Sequence, residues 1–139
     1  MPQGFVYIVG SKTGTLYIGV TSKLAQRILQ HKSGEGSQFT SLYGCNRLLY
    51  FERFEDIRNA INREKSLKGK TRAKKIALII IINPEFRDLA ETWGWLRIGE
   101  QQSIAEIEAW LELYPATDPA SKKKAVAESS KKPPQGWRS

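Results

Sequence analysis

The sequence predicts an α+β fold: a β-hairpin, a third strand, and helices between and after them. Three observations lead there. Residues 5–9 (Phe-Val-Tyr-Ile-Val) and 16–20 (Leu-Tyr-Ile-Gly-Val) are aromatic and β-branched runs around a short loop containing Gly14. Two such runs with a glycine-bearing connection make an antiparallel hairpin. Residues 47–53 (Arg-Leu-Leu-Tyr-Phe-Glu-Arg) have strand composition again. The segments between and beyond carry apolar residues at helical spacing.

The elements follow in order. Thr21 or Ser22 offers a helix N-cap, and the helix runs over residues 22–32. Gly34 and Gly36 end it and open a polar loop. After the third strand, Asp56 caps a helix over residues 57–67, which Gly69 interrupts. Residues 70–82 are ambiguous: the basic opening suggests a helix, and four consecutive isoleucines favour a strand. Asn83-Pro84 ends the element either way. Residues 85–95 are rich in aromatics and pack back on the core; Trp93 and Trp95 are core residues first and a base-stacking surface second. Residues 104–113 have helix character, with Ile104, Ile107 and Leu111 at helical spacing. Beyond Pro115 the composition turns to Ala, Ser, Lys and Pro, as in a disordered basic tail.

Composition narrows the function classes. The chain has 139 residues, 40% hydrophobic, enough for one compact domain plus extras. A single cysteine, Cys45, permits neither an intramolecular disulfide nor a cysteine metal cage. The longest apolar run, residues 76–82, is too short to span a bilayer, and the N-terminus shows no signal peptide. A cytoplasmic protein without a membrane partner is expected. There is no phosphate-binding glycine loop, no dinucleotide fingerprint and only one histidine, His31. No small-molecule cofactor is implied.

The net charge of +8 points to a polyanionic partner. Residues 116–139 hold six basic and two acidic residues. Residues 58–75 hold eight basic residues against the single Glu64. A solvated helix face is an equal reading of that second run.

Two helices carry charge on otherwise apolar stripes. Leu24, Arg27, Ile28 and His31 fall at i, i+3, i+4, i+7, and so do Ile57, Ala60, Ile61 and Glu64. Polar groups on such stripes need partners. An Arg27–Glu64 salt bridge is the ordinary structural account. Tyr7 and Tyr17 lie on adjacent strands and can pair across the hairpin as core aromatics. Together, two tyrosines, an arginine, a histidine and a carboxylate also suit phosphate chemistry. A carboxylate can hold Mg²⁺ with most of its shell left to water, an arginine can brace phosphate oxygens, and a tyrosine or histidine can move a proton.

These residues resemble a known family. Phe5-Val6-Tyr7, followed ten residues later by Tyr17-Ile18-Gly19, resembles the paired GIY and YIG strands of GIY-YIG nucleases. The second string is intact, and the first keeps only its tyrosine. Five strings occur in order: Leu-Tyr-Ile-Gly-Val-Thr-Ser, Arg-x-x-x-His-Lys, Arg-Glu-Lys, Arg-Ala-Lys-Lys and Asn-Pro-Glu-x-Arg-Asp-Leu. They resemble the stand-alone, single-domain bacterial branch, which is related to the N-terminal domain of the excision-repair nuclease. The likeness covers residues 4–89 and is silent about 96–139.

The resemblance implies a small three-stranded antiparallel β-sheet flanked by α-helices, and a helix over residues 70–82. It implies metal-dependent hydrolysis of DNA phosphodiesters, in repair or recombination. Glu64 would bind Mg²⁺ or Mn²⁺, and Arg27 would neutralise the scissile phosphate. Tyr17 would be the leading general base, with Tyr7 hydrogen-bonding nearby. In the excision-repair branch a lysine after YIG helps activate the tyrosine. Here that position is Val20, which raises His31 as the proton-transfer group, its ordinary pKa suiting the task. Nucleic-acid contacts are expected from Lys32, Arg63, Lys65, Lys68, Lys70, Arg72, Lys74, Lys75, Asn83 and the Lys-rich tail. They would fall on the backbone and be salt-dependent.

The expected layout is a GIY-YIG nuclease domain at 1–95, a helical extension at 96–114 and a disordered basic tail at 115–139. A monomer acting on DNA is expected, with RNA left open. The alternatives are a non-catalytic nucleic-acid-binding protein that keeps the fold, and an interaction module docking through the acidic segment 100–112.

Overall fold

The structure, a computed structural model, describes residues 2–93 and 101–119. The hairpin forms as expected: β1 is Gly4–Gly10 and β2 is Leu16–Thr21. Gly14 turns the chain with φ +97°, a conformation only glycine adopts freely. The third strand, β3, is Arg47–Phe54. The sheet has the order β2-β1-β3 and is antiparallel throughout, which agrees with the predicted α+β architecture. All seven residues of β1 are buried because both faces of this central strand are covered.

Helix α1 (Leu24–Lys32) and α2 (Gln38–Tyr43) lie between β2 and β3. Helices α3 (Ile57–Lys68) and α4 (Arg72–Ile82), a short 3₁₀ turn (Leu89–Trp93) and α5 (Gln101–Leu111) follow. Asp56 caps α3 by accepting from Arg58 N, and Thr71 caps α4 by accepting from Lys74 N. The isoleucine run of α4 is helical: Ile76, Leu78, Ile79 and Ile80 enter the second core, while Ile81 and Ile82 are exposed, and this helical packing outweighs β-branched propensity.

The side chains divide into two cores. On one face Phe5, Tyr7, Val9, Leu48 and Phe51 pack against Leu24, Ala25 and Ile28 of α1 and Ile107 and Leu111 of α5. On the other, Val6, Ile8, Ile18, Tyr50 and Phe54 pack against Ala60 and Leu67 of α3 and the apolar residues of α4. Burial of each large apolar side chain contributes about 2 kcal/mol. A β-bulge serves both faces: Ile8 pairs with Tyr50 and Val9 with Leu48, so Leu49 is the extra residue. Leu49 and Tyr50 thus both enter the second core while Leu48 enters the first.

Several expectations are corrected. The loop after α1 contains a helix, α2, with Ser37 as its N-cap and Gly44 in the left-handed conformation as its stop. Helix α1 starts at Leu24, and neither Thr21 nor Ser22 caps it directly. Thr21 Oγ1 accepts from Lys23 N, and Glu108 of α5 accepts from Ala25 N at 3.0 Å and Gln26 N at 3.3 Å. The cap comes from 83 residues away in the chain, which no local pattern displays. The acidic segment is thus turned partly inward, through Glu108. Trp93 packs its ring on Phe51 at 5.9 Å, a core position. Trp95, Glu100 and residues 120–139, which make up most of the expected tail, lie outside the described residues. No helix among the described residues is long and apolar enough to cross a membrane.

Candidate active site

The site is built around Tyr7, at the middle of the central strand. Its side chain is fully buried on the α1 face. Tyr7 faces Gly19 across the β1–β2 ladder, and its ring fills the place a side chain there would take. A Cβ on Gly19 would lie 2.5 Å from Cζ of Tyr7. This glycine is needed for close approach, not for an unusual φ.

Tyr17 does not stand directly opposite Tyr7. Its register partner is Val9, which makes it the diagonal neighbour of Tyr7 on the same face. Such neighbours remain within reach of aromatic side chains.

Helix α1 brings Arg27 and His31 over this face. His31 is 5% exposed, and its Nε2 lies 2.9 Å from the Tyr7 hydroxyl. The two rings meet edge to face at 5.5 Å, and Tyr17 lies 5.9 Å from the imidazole on another side. Burial, helped by the Arg27 charge, pushes the His31 pKa down to about 4. Burial pushes the Tyr7 hydroxyl up to about 12; Arg27 opposes that rise, and Tyr17 and Glu64 add to it. Near pH 7 both members of the pair are therefore uncharged. His31 Nδ1 is buried and has no hydrogen-bond partner among the described residues. It faces Gly36, where an added Cβ would lie 2.6 Å away.

Arg27 and Glu64 belong to opposite layers, α1 on one face and α3 on the other. The expected Arg27–Glu64 salt bridge does not form: among the described residues, Glu64 pairs only with Lys68, at 3.7 Å, and Arg27 makes no ion pair. Both charges nonetheless act on the Tyr7 hydroxyl. An arginine without a carboxylate partner, close to a neutral hydroxyl, is available to an anionic ligand.

Besides Lys68, which pairs with Glu64, three further expected nucleic-acid contacts have internal partners. Lys32 pairs with the nearly buried Asp88 and donates to Asn46 O at 3.0 Å. Arg63 pairs with Glu52 at 3.1 Å. Asn83 is buried; its Nδ2 donates to Leu49 O at 3.1 Å and Arg87 O at 2.7 Å, and its Oδ1 accepts from Arg87 N at 2.9 Å. Arg63 and Asn83 tie a helix and a loop to β3, and Lys32 reaches that strand through Asp88, which accepts from Leu48 N at 3.0 Å. Lys65, Lys68 and Lys74 are exposed, and Lys70, Arg72 and Lys75 are half-buried.

Sequence reasoning missed Glu52, which is 3% exposed and bound by the Tyr50 hydroxyl as well as Arg63. A signal existed: Tyr50, Glu52 and Phe54 alternate along β3, which puts the carboxylate on the apolar face. Arg63 precedes Glu64, so the Glu52–Arg63 pair also fixes the rotation of the helix that presents Glu64.

A metal can be matched to the donor set. Among the described residues, no three His, Cys, Asp or Glu side chains form a cluster able to enclose an ion. That excludes a protein cage within those residues but suits a hard cation held through one carboxylate, with water and phosphate completing the shell. Glu64, 17% exposed at its side chain and opposed by one lysine at 3.7 Å, fits that role.

The family model for the GIY-YIG catalytic domain matches residues 3–77, more than half of the chain. The chain belongs to the GIY-YIG family. The GIY-YIG domain so defined contains all five residues around the site, and it belongs to a nuclease-type family whose substrates are nucleic acids. Curated relatives agree. The UPF0213 protein of Staphylococcus saprophyticus is 35% identical over 79 residues, 57% of this chain and 96% of its own length. That of Clostridium perfringens is 43% identical over 77 residues, 55% of this chain and 83% of its own length. A UPF0213 protein of Staphylococcus aureus is 37% identical over 79 residues. These names state no activity. No solved structure matches the chain. The last turn of α4, the 3₁₀ turn and α5 lie beyond the matched GIY-YIG segment, yet α5 contributes to the same core as Tyr7.

Proposed function

We propose that this GIY-YIG protein hydrolyses DNA phosphodiester bonds with a divalent metal, Mg²⁺ or Mn²⁺, held by Glu64. The observation that carries the reading is the Tyr7 hydroxyl, held 2.9 Å from His31 and under the joint influence of Arg27, Tyr17 and Glu64. Arg27 of α1, Tyr17 of β2 and Glu64 of α3 all act on that hydroxyl, and among the described residues Arg27 and Glu64 form no ion pair with each other, which supports the reading.

Arg27 would bind the non-bridging oxygens of the scissile phosphate, where its charge offsets what develops as the bond breaks. Tyr17, on the rim of the buried pair, would orient the attacking water and, as the tyrosinate after releasing its own proton to solvent, accept the water's proton. Tyr7 would fix the imidazole and screen that proton's path from the core. His31, with a pKa near 4, would be a neutral hydrogen-bond partner at pH 7 and not a proton store. In this reading the histidine, which Val20 raises as a proton-transfer group, helps by position more than by basicity. The metal, when bound, supplies positive charge at the phosphodiester and its leaving oxygen. Lys65, Lys68, Lys70, Arg72, Lys74 and Lys75 would hold the backbone. Repair or recombination in the cytoplasm, where the buried Cys45 thiol stays reduced, is the setting this reading supports.

The test is cleavage of branched, single-stranded and duplex DNA with Mg²⁺, Mn²⁺ or EDTA, beside Glu64→Ala and Arg27→Ala. Metal-dependent products lost in both variants are expected. Binding without cleavage under every condition would leave a DNA-binding protein instead.

A further inference from the structure

Helix α2 buries only Thr40 of its six residues. Phe39, Leu42 and Tyr43 are 43%, 77% and 50% exposed. Exposed apolar clusters of this kind mark interaction surfaces. Two of the three are aromatic, and they continue the line of rings that begins in the site. Tyr17 lies 5.9 Å from His31 and 6.0 Å from Phe39, and Phe39 lies 4.7 Å from Tyr43. The row ends at an open cleft of about 760 Å³, which Tyr43 lines together with Thr13, Thr15, Arg72 and Lys75.

The two halves of this surface match the two halves of a nucleotide. Hydroxyls and cations suit a sugar-phosphate backbone, and exposed ring faces suit bases. Bases inside a duplex are already stacked and paired, whereas unpaired bases can turn onto aromatic side chains. The cleft's cations favour a polyanion over a second copy of this chain, which carries +8 itself. We propose that Phe39 and Tyr43 form a stacking track for unpaired nucleotides, laying a single DNA strand from the Arg72–Lys75 cleft toward Tyr17. This rests on the nucleic-acid reading above and names its substrate class: DNA that is single-stranded beside the scissile bond.

The test is binding in EDTA, so that it does not depend on cleavage. A labelled oligothymidylate and a duplex of equal length are titrated with the full chain, Phe39→Ala, Tyr43→Ala and Phe39→Trp. Tighter binding of the single strand is expected. Each alanine variant weakens it by about tenfold and leaves duplex binding unchanged, and tryptophan retains it. A 2-aminopurine base in the strand is quenched on binding by the full chain and less by the alanine variants. Both side chains are exposed, so thermal unfolding should match the parent and report any folding defect. Equal losses for single strand and duplex overturn the proposal, as do alanine variants with unaltered affinity and quenching. Self-association abolished by Phe39→Ala, with strand affinity unchanged, reassigns the face to a second copy and also overturns it. A chain that never cleaves but shows the single-strand effects loses the proposed hydrolysis and keeps the track.

Discussion

Tyr7 and Gly19 face each other across the β1–β2 ladder, and the tyrosine ring occupies the space a side chain at Gly19 would need. Gly19→Ala should therefore act as an overpacking substitution at the centre of the site. A loss of about 2 kcal/mol is expected in urea unfolding. Cleavage should fall further than stability does, because the displaced hydroxyl leaves His31. Wild-type turnover in the alanine variant would show that the Tyr7–His31 bond is dispensable.

His31 makes stability depend on pH. Its pKa is about 4 in the folded chain against an ordinary 6.5. Between those values the unfolded chain holds more protons than the folded one, so stability rises with pH across this window. Acidification from above pH 6.5 to below pH 4 should remove about 3 kcal/mol through this group, most of it between those two values, and the loss should level off below the folded pKa. Urea midpoints measured across the range should show the slope, and His31→Gln should flatten it.

The Glu52–Arg63 pair and the exposed lysines should separate cleanly in experiment. Glu52→Gln leaves Arg63 facing a neutral amide in a site only 3% exposed at Glu52. A loss of about 3 kcal/mol in stability is expected. Lys74→Ala should leave unfolding unchanged and weaken DNA binding. It should also lower the salt slope of log K by about one if its phosphate contact is lost. An Arg63 variant that unfolds normally and binds DNA poorly would restore Arg63 to the binding surface.

Glu108 ties α5 to the first turn of α1, the helix that carries Arg27 and His31. Glu108→Ala should cost about 1 kcal/mol, as the loss of an N-cap does. Amide exchange at Ala25 and Gln26 should speed up relative to the rest of α1. Unchanged protection at those two amides would mean that Glu108 does not cap the helix in solution.

The strands, α3 and the helical period of α1 were legible because each follows a short-range rule: alternation, capping or spacing of apolar residues. Arg27, His31 and Glu64 stood out for the same reason, as polar groups on apolar stripes. What escaped depends on the third dimension. Local sequence cannot show that Arg27 and Glu64 belong to opposite layers, that Glu108 caps α1, or that Lys32 turns toward Asp88. Arg63 and Lys65 look alike in a basic run, and only the inward carboxylate of Glu52 distinguishes them. Helix α2 was hidden because glycines at 34 and 36 dominate the local pattern. The diagonal offset of Tyr7 and Tyr17 follows from a register that the hairpin loop sets.

One consequence follows from where the chain keeps its histidine. His31 is the only one in 139 residues, and it touches both site tyrosines. Its imidazole resonances need no assignment by mutagenesis. A single pair of ring signals, read during titration with acid, metal or DNA, reports directly on the centre of the molecule.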